Sequence, residues 1–254
     1  MSLLTIQKAN FWKRISAYLF DMILTVTLTI GFAVLLSAVL GYDKQTEQLK
    51  TYYTKYEETY GVDLDISEED FSKLTEEEKN KYEAASNAFK ADKEVLAVYS
   101  VISSLTLVIL SFAVLLGVLS IYFIVPLFFK NGQTLGKKIF SLAVIRSNLV
   151  KASTPVLFVR TLFGMYAIET MFPVFLLAMV YFGLMGSVGV ITVGLLLILQ
   201  IVVLVVSKNN SSIHDLLSDT VVVDFASQRV FETQEALEEY VKEQQSIEAQ
   251  NAAY

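Results

Sequence analysis

Apolar positions along this chain gather into four long runs, Ile15–Gly41, Val95–Phe129, Thr161–Phe182 and Val188–Val206, separated by polar blocks. A helix needs about 20 apolar residues to cross a hydrocarbon layer about 30 Å thick, and each run is close to that length or longer. The pattern predicts an all-α membrane protein built as a four-span helical bundle. The first run has no small-residue cleavage pattern at its end, so it is expected to be a retained span rather than a signal peptide. Between the last two runs the gap Gly183–Gly189 is short and nearly apolar. A tight turn at Gly183, Gly186 and Gly189 would separate two full spans; a re-entrant pair fits the same residues.

The polar blocks carry periodicity of their own. Leu49, Tyr52, Tyr53, Tyr56 and Tyr60 recur at spacings of three and four, the signature of one helical face, and Gly61 ends the run. Thr75 to Glu78 has capping-box spacing, and Tyr82, Ala85, Phe89 and Leu96 supply a second stripe leading into the second span. The two stripes predict a helical hairpin. Ile139–Ile145 and Thr220–Asp224 are short and β-prone and are expected to pair as a small two-stranded ribbon, held by packing against the bundle. From Phe231 to Gln250 the tail offers only the partial stripe of Ala236, Leu237, Tyr240, Val241 and Ile247, a marginal and solvent-exposed amphipathic helix. The chain thus divides into 1–41 (N-terminus and first span), 42–98 (acidic helical insertion), 99–129 (second span), 130–160 (basic linker), 161–206 (third and fourth spans) and 207–254 (exit segment and tail).

Charge supplies an orientation. Lys130, Lys137, Lys138, Arg146, Lys151 and Arg160 occupy Leu127–Ile168 without any acidic residue, and Lys8, Lys13 and Arg14 precede the first span. Short basic loops stay in the cytoplasm. The segment Tyr42–Val98, with 15 acidic and 8 basic residues, is then external, and Lys208 begins a cytoplasmic exit, so both termini are expected inside. With 54% hydrophobic residues, no cysteine and a single histidine, the chain excludes disulfides, thiolate metal sites and multi-histidine metal centres. No cofactor or metal site is expected. Basic patches with interleaved aromatics are absent, which argues against nucleic acid. Membrane lipids are the certain partners, and a homo-oligomer or another membrane protein is a further expectation.

Two tempting motifs fail. A calcium loop starting at Asp63 would place Glu68 where the turn glycine belongs and Leu74 at the bidentate-glutamate position. A phosphate-binding loop over Asn131–Lys138 would need glycine at Asn131 and serine or threonine at Lys138. The charges inside or beside the spans carry more weight, because charge at that depth needs a partner or a function. Arg14 and Asp21 are seven residues apart, about 10 Å of helical rise, on nearly one face but too far for assured contact. A third group is expected to join them. Snorkelling and helix packing, ion or proton handling, and ligand recognition all remain open for this pair. Glu169 is either a second carboxylate on an ion route or a packing residue. Asp215 and Asp219, four apart, are expected together on a helical His214–Asp219 segment, paired with Arg160, Arg14 or Lys137 in a structural lock. No hydrolytic chemistry is expected, since His214 and Asp215 lack a placed nucleophile and Ser218 is not arranged as one.

Three stretches, FWKRISAYLFDMIL, NGQTLGKKIFSLAVI and SIHDLLSDTVVVD, together resemble the RDD family of bacterial membrane proteins. On that resemblance the family's arginine is Arg14, its two aspartates are Asp21 and Asp215 with His214 beside the second, its glycine-lysine element is Gly132, Thr134, Gly136 and Lys137, and its later arginine is Arg160. The likeness covers roughly residues 11–34 and 100–224; the acidic insertion at 42–98 departs from compact members. Some members of that family are linked to exchange of sodium or lithium for protons, whereas many have no assigned activity. The resemblance therefore implies a monovalent-cation/proton antiporter of the bacterial plasma membrane; the residues permit that chemistry, with Asp21 alternating between proton and cation and Glu169 as a candidate second carboxylate. The alternative is a noncatalytic membrane accessory or assembly protein that binds a partner through its hairpin or tail.

Overall fold

A computed structural model describes residues 5–129, 131–207 and 209–252; the expected basic residues Lys130 and Lys208 lie outside the described residues. Among the described residues four helices are long and apolar enough to cross a membrane: Phe11–Leu40, Lys93–Phe129, Thr154–Tyr181 and Gly186–Val206. Even the last, at 21 residues, rises about 31 Å. Val188, Ile191, Leu195, Ile198, Ile201 and Val205 on it are exposed, as residues that face acyl chains must be.

Helix starts come earlier than apolarity alone implies. The first span begins at Phe11 rather than Ile15 because the Asn10 side chain accepts the Trp12 amide at 2.9 Å. The third begins at Thr154 rather than Thr161, just after Ser153 and with Pro155 in the first turn, where a missing N–H costs nothing. Two helices, Thr154–Tyr181 and Gly186–Val206, occupy 154–206, each long and apolar enough for a full span. Gly183 and Gly186 turn the chain with φ of 72° and 49°, whereas Gly189, expected in the same turn, lies inside the fourth span. Its missing side chain admits Val180, whose Cγ2 would sit 2.3 Å from a Cβ at that position.

Apolar periodicity also gave no sign of the widened turns in the second and third spans. Over Ser120–Ile124 and Arg160–Met171 the amides reach back five residues, as in Phe172 N–H to Ala167 C=O, and the Thr170 hydroxyl donates to Met165 C=O at 2.8 Å. Such turns shift which side chains share a face. Arg160, Thr161, Gly164 and Met165 are all buried as a result.

A two-stranded antiparallel ribbon joins β1 (Leu142–Arg146) to β2 (Thr220–Asp224), with Val144 opposite Val222. β1 starts later than the expected Ile139, because Thr134 caps a short helix, Leu135–Ile139, and Ser141 turns the chain at φ 55°. Both faces of the ribbon are covered. Leu142, Val144 and Val222 pack with Ala9, Ala17 and Leu157 at the span ends. Ala143, Ile145, Val221 and Val223 pack with Phe231 and Tyr240 of the tail. The expectation of a solvent-exposed tail is thus corrected for the start of its helix, Gln234–Ala252: Tyr240 is buried under the Arg229 guanidinium, 3.9 Å from its ring, while Ile247 stays exposed.

Residues 30–113 form a separate compact unit. The helix Tyr42–Tyr60 ends at Gly61, whose φ of 65° lets its amide close on Glu57 C=O. Ser67 caps Glu68–Lys73, and Thr75 with Glu78 forms the expected capping box at the head of Glu76–Ala91. Phe89 is the keystone, with its ring 4.5 Å from Tyr53, 5.5 Å from Tyr56 and 6.2 Å from Tyr99. The expected stripe fails at Leu96, which is half exposed. Asp92 breaks the helix with extended backbone and recaps it through Glu94 N–H, shifting the register so that Val95 and Val98 turn inward. Among the described residues no His, Asp and Glu cluster is arranged to hold a metal. Phe89→Ala should cost this unit about 3–5 kcal/mol, and amide exchange at residues 76–91 should accelerate while exchange in β1 and β2 stays unchanged.

Candidate functional site

Two buried carboxylates organise residues 5–29 and 114–252. Asp21 has no solvent exposure; its Oδ1 accepts Gly136 N–H at 2.8 Å and its Oδ2 accepts the Thr134 hydroxyl at 2.5 Å, with Lys137 Nζ 4.0 Å away. The glycine-lysine element is therefore a cradle for an internal carboxylate. Gly136 is required by contact, since a Cβ there would lie 2.3 Å from Ala17 C=O and 2.9 Å from Asp21 Oδ1. Gly132 is required by conformation, at φ 62°, and by the approach of Val144 C=O. Gln133 ties the same turn to β1 through Leu142 C=O at 2.6 Å.

Asp215, also without exposure, receives Arg160 in a fork, Nε at 3.1 Å and Nη2 at 2.8 Å, both on Oδ1. Its Oδ2 accepts Arg14 Nη2 at 3.3 Å and the Ser212 hydroxyl at 2.9 Å. Ser212 and Asp215 complete a capping box on the exit helix Ile213–Leu217. Burial alone would raise the Asp215 pKa, but Arg160, His214 and Arg14 outweigh it and hold the carboxyl well below its ordinary 3.8. Asp219 does not join it. The chain leaves the helix after Leu217, turns at Asp219 with φ 50°, and sends that carboxylate outward to Arg146 and Ser147. Arg14 and Asp21 likewise share no third group in the way expected: each has its own partners, on opposite ends of the network.

The third carboxylate is different. Glu169 Oε2 lies 2.6 Å from His214 Nδ1 and its Oε1 accepts His214 N–H at 2.9 Å, while the other ring nitrogen lies 2.9 Å from the Ser212 hydroxyl and 3.6 Å from Asp215. Close approach of the exit helix to the third span makes this pair, and Gly164 permits it: a Cβ there would fall 2.5 Å from His214 Cβ. Gly164, Ser212 and Gln133 were not singled out by sequence reasoning. A glycine within an apolar span was the available signal for Gly164, since small residues mark close helix contacts.

Arg14, Lys137, Arg160, Glu169, Ser212 and His214 line a cavity of about 270 Å³ whose remaining wall is mostly apolar, with Gln200, Tyr18 and Tyr122 in it; Asp21 and Asp215 do not line it. Lys137 is buried there, and burial, with the nearby Arg160, lowers its pKa to about 8. The fold and this site define a four-span helical membrane protein with a β-ribbon clamped to its span ends by buried ion pairs. The RDD family model matches residues 8–219, and the chain belongs to that family of membrane proteins. No curated protein and no solved structure matches it.

Gly136→Ala should force the Leu135–Ile139 helix off the first span and cost at least about 1–3 kcal/mol, seen as a lowered melting temperature in detergent. A second prediction follows from Asp215. A carboxyl whose folded pKa is depressed stabilises fully above its unfolded value and loses that contribution only as pH falls through the folded one. Its contribution should thus be constant from pH 5 to 8. The melting deficit of Asp215→Asn relative to wild type should be the same at both ends of that window.

Proposed function

We propose that this RDD protein is a proton-linked carrier of monovalent cations and that its exchange site is the Glu169–His214 pair. The observation that carries this reading is a carboxylate and an imidazole 2.6 Å apart on the wall of a cavity bordered by membrane-spanning helices. A proton held by the pair leaves when a sodium or lithium ion takes its place at the carboxylate, and imidazole is the side chain best suited to accept or release a proton near neutral pH. Asp21 is a poor exchange site by comparison, because it does not border the cavity. Its role in this account is to hold the fold.

The proposal includes a topology in the bacterial plasma membrane, with both termini and the basic 130–160 linker cytoplasmic and the acidic 42–98 insertion external. It rests on the distribution of Lys and Arg. The chain has no cysteine, so Asp65→Cys and Asn148→Cys each give one label. Impermeant maleimide should reach the first from outside intact cells and the second only after lysis; access to both from one side contradicts the topology.

Purified protein in proteoliposomes should couple sodium or lithium movement to proton movement. Glu169→Gln should reduce that flux at least tenfold while the protein stays folded; undiminished flux in the folded variant would defeat the assignment. A second reading, a noncatalytic assembly partner acting through the 42–98 hairpin or the tail, draws support from the complete burial of Asp21 and Asp215. It predicts no ion-dependent proton movement by wild type and a partner that copurifies through the hairpin.

A further inference from the structure

The cavity wall carries more positive charge than exchange of a small cation requires. Arg14, Lys137 and Arg160 border it, whereas Asp21 and Asp215, the carboxylates opposing them, sit behind them and do not. Glu169 is on the wall, but its two oxygens face the amide and ring of His214. Lys137 is the least satisfied of these cations. Its ammonium has three N–H groups to place, yet its oxygen partners are Thr134 Oγ1 at 3.5 Å and Asp21 at 4.0 Å, with the Tyr122 ring 5.5 Å away, and the residue is only 9% exposed. Buried donors of this kind suit an anion.

The other wall is mostly apolar, with Tyr18 and Gln200 among its residues, and continues onto the outer surface of the spans. Ile15 of the first span and Ile201 and Leu204 of the fourth border the cavity, and Ile201 is 61% exposed. A cationic floor with a flank of aliphatic side chains that faces acyl chains matches an amphiphile, one end anionic and the other hydrocarbon. At about 270 Å³ the space suits a headgroup whose chains stay in the bilayer. We propose that the cavity binds the phosphate headgroup of an anionic phospholipid entering between the first and fourth spans, with Lys137 as its main charge partner. This site does not depend on ion exchange.

The full-length protein in neutral detergent is titrated with short-chain phosphatidylglycerol, phosphatidylcholine, glycerol phosphate or inorganic phosphate, with bound lipid counted by native mass spectrometry and stability followed by melting. Phosphatidylglycerol should bind at least tenfold more tightly than phosphatidylcholine and raise the melting temperature, and the two chain-free phosphates should do neither. Lys137→Gln should lose at least tenfold in phosphatidylglycerol affinity. Lys138→Gln, whose exposed ammonium lies over Phe129 at 4.0 Å and off the cavity wall, should bind as wild type. Since Lys137→Gln also removes a neighbour of Asp21, Ile201→Trp serves as a second variant that fills the mouth from the exposed side, and it should weaken binding without lowering the melting temperature of the lipid-free protein. Equal binding of the two lipids, an equal response to inorganic phosphate, or unchanged affinity in both Lys137→Gln and Ile201→Trp overturns the proposal.

Discussion

A carboxylate cannot be taken out of water without a partner, and Asp215 has been taken out completely. Arg160 from the third span and Arg14 from the first converge on it, so the exit helix after the fourth span has one low-energy position, where both guanidiniums reach. Much else follows from that position. His214, one residue earlier, is delivered to Glu169; Gly164 must be small because the exit helix passes over it. Thr220, five residues later, starts β2 against β1, and the ribbon then presents one face to the span ends and the other to the tail.

Asp21 imposes the same constraint at a second point. It holds the Leu135–Ile139 helix by an amide and a hydroxyl, and β1 begins three residues after that helix ends. The ribbon is therefore anchored through both strands, one by each aspartate. Two strands of five residues would be marginal alone; here the ion pairs and the two apolar clusters fix their register. Arg14, Asp21 and Asp215 are accordingly the frame of the site. The groups that border the cavity, Glu169, His214 and Lys137, are the ones that frame delivers to it.

How much of this was legible depends on the range of the interaction. Spans, the hairpin capping box and the two β-prone segments are local patterns, written in hydropathy, in Thr75 and Glu78, and in Val221 to Val223. The pairing of Asp215 with Arg160 and Arg14 was anticipated as one of several options. The separation of Asp219 from Asp215 was not, because a positive φ at an aspartate has no periodic signature. Nor was the Leu96 register: one extended residue, Asp92, rotates every side chain after it. The Glu169–His214 pair joins residues 45 apart across an interface that only a missing Cβ at Gly164 allows. The docking of Tyr240 had a weak apolar signal and an unseen aromatic–guanidinium contact with Arg229.

The claim that a buried ion pair positions the whole exit segment is tested most directly by a double-mutant cycle on Arg160 and Asp215. Arg160→Met would leave Asp215 to Arg14 alone and Asp215→Leu would strand both guanidiniums, and each should cost about 3–5 kcal/mol, read from chemical or thermal unfolding of the purified protein. The double variant, which removes the buried pair and leaves Arg14 without its carboxylate, should lose less than the sum of the two single losses. Strictly additive losses, or single variants as stable as wild type, would contradict the account.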